Sequence, residues 1–135
     1  MAFHNDYIDL GWPVIPVWWT EGGVCRCRRR VHCQSPGKHP IAELVPNGIT
    51  DATLNHDVAN EWWNAYPKAG IAIATGESVW VLDTDVGHGG EISLIDLQET
   101  YGDLGASVSA KTGGGGRHFY FKGDKRVRNS ASSRV

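Results

Sequence analysis

Two aspartates, Asp83 and Asp85, close the apolar run "SVWVLDTD", where an unpaired carboxylate would be costly. On a strand, residues two apart share a face, so both carboxylates point the same way with Cα atoms roughly 6.6 Å apart. Trp80 and Leu82 then turn to the opposite, core side. Like charges this close must share a proton or bind a cation. Oxygen-only donors favour Mg²⁺ or Mn²⁺ over zinc, and the pair suits two-metal phosphoryl transfer, in which the ions clamp attacking and leaving oxygens. Alone, D-x-D is a weak motif, and two solvated acids at a strand end would read the same.

The context is "KTGGGGRHFYF". Four glycines, Gly113, Gly114, Gly115 and Gly116, leave backbone N–H groups unshielded, so a triphosphate could approach them and Thr112 closely. Beyond them, alternation sends Phe119 and Phe121 to a core face and His118, Tyr120 and Lys122 to the polar one. Lys111 and Arg117, at the edges of the loop, would add cationic contacts to phosphate oxygens. A flexible hairpin and a structural histidine are the plain alternatives. Acid pair, glycine loop and cationic strand are harder to dismiss together, because each meets a need the others create.

A second cluster lies in "CRCRRRVHCQSPGKH", which offers Cys25, Cys27 and Cys33, with His39 or His32 as a fourth ligand. Three thiols and a histidine in a loop without core-forming residues fit a closed structural Zn²⁺ site, although the spacing is not a common zinc-finger one. His39 is preferred, because His32 adjoins Cys33 and would strain chelation of one ion. Free thiols beside incidental histidines are the competing reading. Around a metal, Arg26, Arg28, Arg29 and Arg30 would be displayed on a rigid knuckle, placed to meet a nucleic-acid backbone.

At 135 residues the chain is about one domain, and 41% hydrophobic content with six tryptophans can build a core. A net charge of −2 gives no global nucleic-acid signature. The cations are uneven, however: besides the arginine run, Lys122, Lys125, Arg126, Arg128 and Arg134 crowd the C-terminus. The sequence shows neither a signal peptide nor a membrane span, and its start, "MAFHNDYIDLGW", is acidic and amphipathic. Three cysteines within nine residues argue for a metal site in the cytoplasm rather than a secreted disulfide framework.

Periodicity predicts a helix over 2–10 with Phe3, Tyr7, Ile8 and Leu10 inward, closed by Gly11. "PVIPVWW" (13–19) reads as a strand whose prolines suggest an edge, and 20–50 reads as loop. A second helix starts at an Asn55 cap, with Asp57 in its first turn, buries Val58, Ala59, Trp62, Trp63 and Tyr66, and ends at Pro67. Strands over 70–75 and 78–85 are joined by a tight turn at Gly76. Gly89 and Gly90 open a helix to about residue 101, with Ile92, Leu94, Ile95 and Leu97 as its apolar surface, and strands at 106–111 and 117–122 flank the glycine loop. The class is α+β, with no repeat or linker dividing it.

The order "GWPVIPV", "CRC…C…PGKHP", "GITDAT", "EWW…YP", "GIAIATG", "VLDTD…HGG" and "KTGGGGRHFYF" resembles the bifunctional DNA primase/polymerase (prim-pol) domain of the archaeo-eukaryotic primase superfamily, over nearly the whole chain. The resemblance implies a single domain over 1–135: an RRM-like catalytic sheet (67–135), a smaller αβ module (1–66) bearing the Cys/His loop 22–40, and an active-site cleft between them. It implies template-directed nucleotidyl transfer from nucleoside triphosphates in replication of a phage, plasmid or mobile element, with DNA template and primer as partners and a helicase nearby. By position, Asp83 and Asp85 would bind the catalytic metals and His118 would contact the incoming triphosphate. Lys38 in "PGKHP" would also touch phosphate, and a backbone role falls near Thr75 and Gly76. The family's third acidic residue is expected just beyond "RVRNSASSRV". The catalytic set and the C-terminal strands are therefore expected to be incomplete in this chain, since Asp124 reads as a turn residue. A non-catalytic nucleotide- or nucleic-acid-binding module is the alternative, and a zinc-knuckle interaction domain a weaker third.

Overall fold

A computed structural model describes residues 3–105 and 108–130 and divides the chain into two compact units, Met1–Ala74 and Thr75–Val135. In the first unit, helix α1 spans Phe3–Asp9 and stops where Gly11 takes a left-handed φ of 80°. Its inward stripe is His4 and Ile8, one turn apart. Phe3 and Leu10, expected inward, are 58% and 59% exposed. The helix is too short for a broad apolar face, and Leu10 lies past its end. Residue 2 of the expected helix lies outside the described residues.

Strand β1, Val14–Val17, is buried along its whole length and pairs antiparallel with β4, Gly70–Ile73, with Val17 opposite Gly70. A Cβ at Gly70 would stand 2.9 Å from Val17 Cγ2, so glycine permits that pairing. Hence "GIAIAT" joins β1, whereas the run after the Gly76 turn joins a different sheet. Between them, β2 (Thr20–Glu21) and β3 (Val24–Cys25) form a small hairpin.

Helix α2 spans His56–Ala65 and begins as predicted: the Asn55 side chain accepts hydrogen bonds from the N–H groups of Asp57 and Val58. It buries Ala59 and Trp63, again one turn apart. Trp63 stacks on His4 with ring centroids 4.4 Å apart and donates its indole N–H to the Ala69 carbonyl at 3.0 Å. Ile8, Val14, Ile41 and Ala69 complete the core, and Tyr7, Trp18, Trp19, Trp62 and Tyr66 pack around it. Ile41 and Val45 are fully buried, so the stretch that reads as loop over 20–50 also anchors the unit.

The second unit holds β5 (Val79–Thr84), helix α3 (Gly90–Tyr101), β6 (Val108–Lys111) and β7 (Arg117–Lys122). Residues 106 and 107 of the strand expected over 106–111 lie outside the described residues. The three strands form one antiparallel sheet in the order β5-β7-β6. Leu82 faces Phe119 across the strands, and Trp80 stacks on Phe121 at 4.2 Å. Helix α3 buries no residue fully, and Ile92 and Ile95 are 69% and 53% exposed. Apolar residues at 92, 94, 95 and 97 are spread around the helix axis instead of sharing one side, so only part of them can face the sheet.

The fold therefore makes a graded prediction at Trp63. Trp63→Phe removes the indole hydrogen bond and should cost about 1 kcal/mol. Trp63→Ala leaves a cavity in the stacked core and should cost about 3–5 kcal/mol, both read by urea denaturation.

Candidate active site and metal centre

The antiparallel register sets Asp83 directly opposite His118. Directly opposed residues share a face, so the ring and the carboxylate meet above the sheet, with His118 Nε2 3.4 Å from Asp83 Oδ1. The Tyr120 hydroxyl stands 3.5 Å from the other ring nitrogen, Nδ1. Asp83 remains well exposed, with 64% of its side chain open to solvent, so its oxygens are accessible to a cation as well as to the ring.

Asp85 follows the last residue of β5, and its backbone is still extended (φ −105°, ψ 122°), so alternation keeps it on the Asp83 face. Its Oδ1 accepts from the Gly87 N–H at 2.9 Å, and its Oδ2 lies 2.9 Å from His88 Nδ1. The Gly87 N–H, and after it the His88 ring, hold the Asp85 carboxyl below its ordinary range. The glycines have a packing reason here: a Cβ on Gly90 would meet the Asp85 backbone nitrogen at 2.7 Å. His88 was missed in the sequence. The available signal was an aspartate followed by a glycine and a histidine two and three residues on, the pattern of a side-chain-capped turn.

A cleft of about 1040 Å³ opens beside these acids, lined among others by Thr75, Gly76, Asp83, Asp85, His88 and Ser93. Arg128 and Asn129 line it as well, while His118 and the glycine loop are not among its lining residues. Asp124 is a turn residue, as read from the sequence: Arg126 hydrogen-bonds it and holds its carboxyl down to about 2.

The glycine loop is a tight connection between β6 and β7. Thr112 N–H donates to the Gly116 carbonyl and Gly115 N–H to the Thr112 carbonyl, so those two amides are spent on the turn. Gly113 and Gly114 stand in open space, and their N–H groups are the ones left to face a ligand. Gly116 serves packing: a Cβ there would meet the Thr84 carbonyl oxygen at 2.2 Å, inside the β5 backbone between the two acids. Lys111 pairs with Arg117 in register, one position out of phase with His118, so both basic residues lie on the opposite face from it. The Arg117 guanidinium sits 5.0 Å above the Phe119 ring. The sheet thus brings together Asp83, Asp85 and His118, and sets Lys111 and Arg117 apart from them.

In the first unit, Cys25, Cys27, Cys33 and His39 converge, with one ligand atom from each inside a 4.8 Å group. His32 lies in the short turn Arg30–His32, outside that group, and Lys38 is exposed beside His39. His39 Nε2 is 3.6 Å from Cys25 Sγ and 3.4 Å from Cys33 Sγ. A tetrahedral zinc with ordinary bond lengths separates sulfur from nitrogen by about 3.6 Å, so the donors already stand at that spacing. Burial opposes the Cys25 thiolate, but N–H groups of Cys27 and Gly37, together with His39, outweigh it and bring the thiol down to about 6. Cys33 is pushed up, by burial and by its neighbouring sulfurs. The sulfurs thus disfavour one another's charge, and a bound dication would offset that repulsion. These residues could hold zinc.

The family model for the N-terminal domain of bifunctional DNA primase/polymerases matches residues 4–135. The chain belongs to that family, whose chemistry is nucleotidyl transfer by a DNA primase/polymerase. Comparison with curated proteins and with solved structures returned no match. Among the described residues, no helix is long and apolar enough to cross a membrane.

Two outcomes follow from this geometry. Metal analysis of the purified protein should find about one zinc per chain, lost in Cys25→Ser; wild-type protein free of zinc would reject the site. His88→Ala should raise the Asp85 titration only partway toward an ordinary carboxyl, because the Gly87 N–H stays in place. Carboxyl NMR titration reads this directly. Because the folded pKa is lowered, the stabilisation is present above the unfolded pKa and fades as pH falls through the folded value.

Proposed function

We propose that this chain is the nucleotidyl-transfer domain of a replicative primase/polymerase. Its second unit would be part of an RRM-like catalytic sheet, and its first unit a module bearing a structural zinc. The observation that carries the reading is Asp83 facing His118 across paired strands, with Asp85 on the same face and both acids on one cleft. The family membership gives that arrangement its chemistry.

In this reading Asp83 and Asp85 are the ligands for Mg²⁺ or Mn²⁺, which suits exposed, hard oxygen donors. Bound there, the ions would offset phosphate charge and make a 3′-hydroxyl a better nucleophile. The hydroxyl oxygen bonds to the α-phosphorus of the incoming nucleotide as its proton passes to water, and the bond to the departing pyrophosphate breaks. His118, oriented by Asp83, directs its ring at the triphosphate, and the N–H groups of Gly113 and Gly114 cradle it. Gly115 and Gly116 keep the loop tight. His88 holds Asp85 in place until the site is loaded. Thr112, Lys111 and Arg117 play a lesser part at the edge of the loop. Template, primer and nucleoside triphosphate are the partners.

The test is Mn²⁺-dependent incorporation of nucleotides on a primed template by the natural full-length gene product. Asp83→Asn and Asp85→Asn should each lower the rate by about a hundredfold or more, and His118→Ala should weaken nucleotide binding. Incorporation that survives Asp83→Asn would sink the metal assignment. A wild-type protein that binds Mn²⁺–nucleotide yet never incorporates it would favour the binding-module reading instead.

A further inference from the structure

The Cys/His loop carries more charge than a structural metal site requires. Between residues 22 and 40 the sequence holds Arg26, Arg28, Arg29, Arg30 and Lys38 and no acidic residue at all. Arg26 is engaged: it lies 3.6 Å from Glu21, which also binds Lys68 at 3.0 Å. Arg28, Arg29 and Arg30 are exposed and have no carboxylate within ion-pair distance among the described residues. Arg28, Arg29 and Arg30 are consecutive, so their like charges repel, and no carboxylate among the described residues pairs with any of them. Arg30 also has φ 49°, the one non-glycine residue in left-handed backbone among those described. Glycine or asparagine would sit there at less cost, so the position keeps an arginine against local preference.

The loop is tied at both ends to aromatic residues. Arg26 N–H donates to the Trp19 carbonyl, and Trp18 N–H donates to the carbonyl of His39, so Trp18 and Trp19 bridge the base of the loop. Their rings stack at 5.8 Å, and both meet Tyr66 edge-on. The Glu43 hydrogen bond pushes the Tyr66 phenol up, and the charge of Arg28 pulls against it. All three rings are half-buried, so they present ring surface as well as packing against the core. Cationic groups beside half-open aromatic rings match the chemistry of a single strand, whose phosphates need neutralising and whose unstacked bases need a π-face.

We infer that Arg28, Arg29 and Arg30, together with Trp18, Trp19 and Tyr66, form a binding surface for single-stranded DNA, with the Cys/His cluster holding the arginines in register. This rests on the polymerase reading for the identity of the strand, which is the template, but its test does not depend on polymerisation. Duplex DNA fits the surface less well, because its bases are already stacked.

The experiment is fluorescence anisotropy of a labelled single-stranded oligonucleotide, measured with zinc-loaded full-length protein over a range of salt. Wild-type protein should bind with a clear salt dependence and quenching of tryptophan emission. Arg28→Ala/Arg29→Ala/Arg30→Ala should weaken binding by about tenfold or more and reduce the log–log salt slope by about 2. Zinc content and thermal melting monitor folding. The triple lysine variant, which keeps the charge, should keep the slope. Wild-type affinity and slope in the triple alanine variant would overturn the inference, as would tighter binding of a matched duplex. Asp83→Asn separates the two readings: it should retain strand binding while incorporation is lost. Strand binding through the arginines with no incorporation by wild type would defeat only the polymerase reading.

Discussion

Two carboxylates on one face of a strand repel each other, and the second unit is organised around keeping them there. Asp83 is met by His118 across the strands, and Asp85 by the Gly87 N–H and His88 from the turn that follows. Each of these depends on register. A slip of one residue between β5 and β7 would carry His118 to the other side of the sheet and set Phe119 or Arg117 opposite Asp83 in place of the imidazole. Trp80 on Phe121 and Leu82 opposite Phe119 hold that register from the apolar side. The core packing and the polar site are therefore the two faces of one constraint.

The first unit solves a different problem by similar means. Its donors would repel as thiolates, and backbone N–H groups from Cys27, Gly37 and Ser35 soften that repulsion without removing it. The sulfur and nitrogen atoms stand at metal-ligand spacing because β3 ends at Cys25 and because the segment carrying His39 is bound to β1, through the Trp18 amide and the bridge between Val17 and Pro40. Ile41 and Val45, fully buried just beyond, pin that segment to the aromatic core. A loop rich in glycine and arginine thus inherits its rigidity from neighbours.

Much of this was legible in the sequence. The Asn55 cap, the end of α2 before Pro67, the two strands around the glycine loop and the α+β class follow from turn chemistry and alternation, which are local. The His39 preference over His32 rested on chelate strain, also local, and His39 is the histidine that the fold brings to the cysteines. What could not be read was non-local. Nothing in "GIAIATGESVWVL" says that its two strands belong to separate sheets, because the deciding partner is Val17, more than fifty residues away. The facing of Arg117 was available from parity but was outweighed by its place at the loop edge. His88 escaped because a histidine three residues after an aspartate looks incidental until the backbone turns. The outward set of Ile92 and Ile95 on α3 was a matter of helical angle that counting apolar residues does not reveal.

At Gly116 the relevant side chain is a hydrogen atom, since the space a methyl group would fill is occupied by the Thr84 carbonyl. Any side chain at this position would force the β5 backbone to move, so even the smallest replacement, alanine, disturbs the strand that carries both acids. Its neighbours Gly113 and Gly114, standing in open space, tolerate side chains sterically. The four identical letters of "GGGG" are therefore under unequal restraint, and a library randomised across them would keep the last and let the first two vary wherever ligand contact allows.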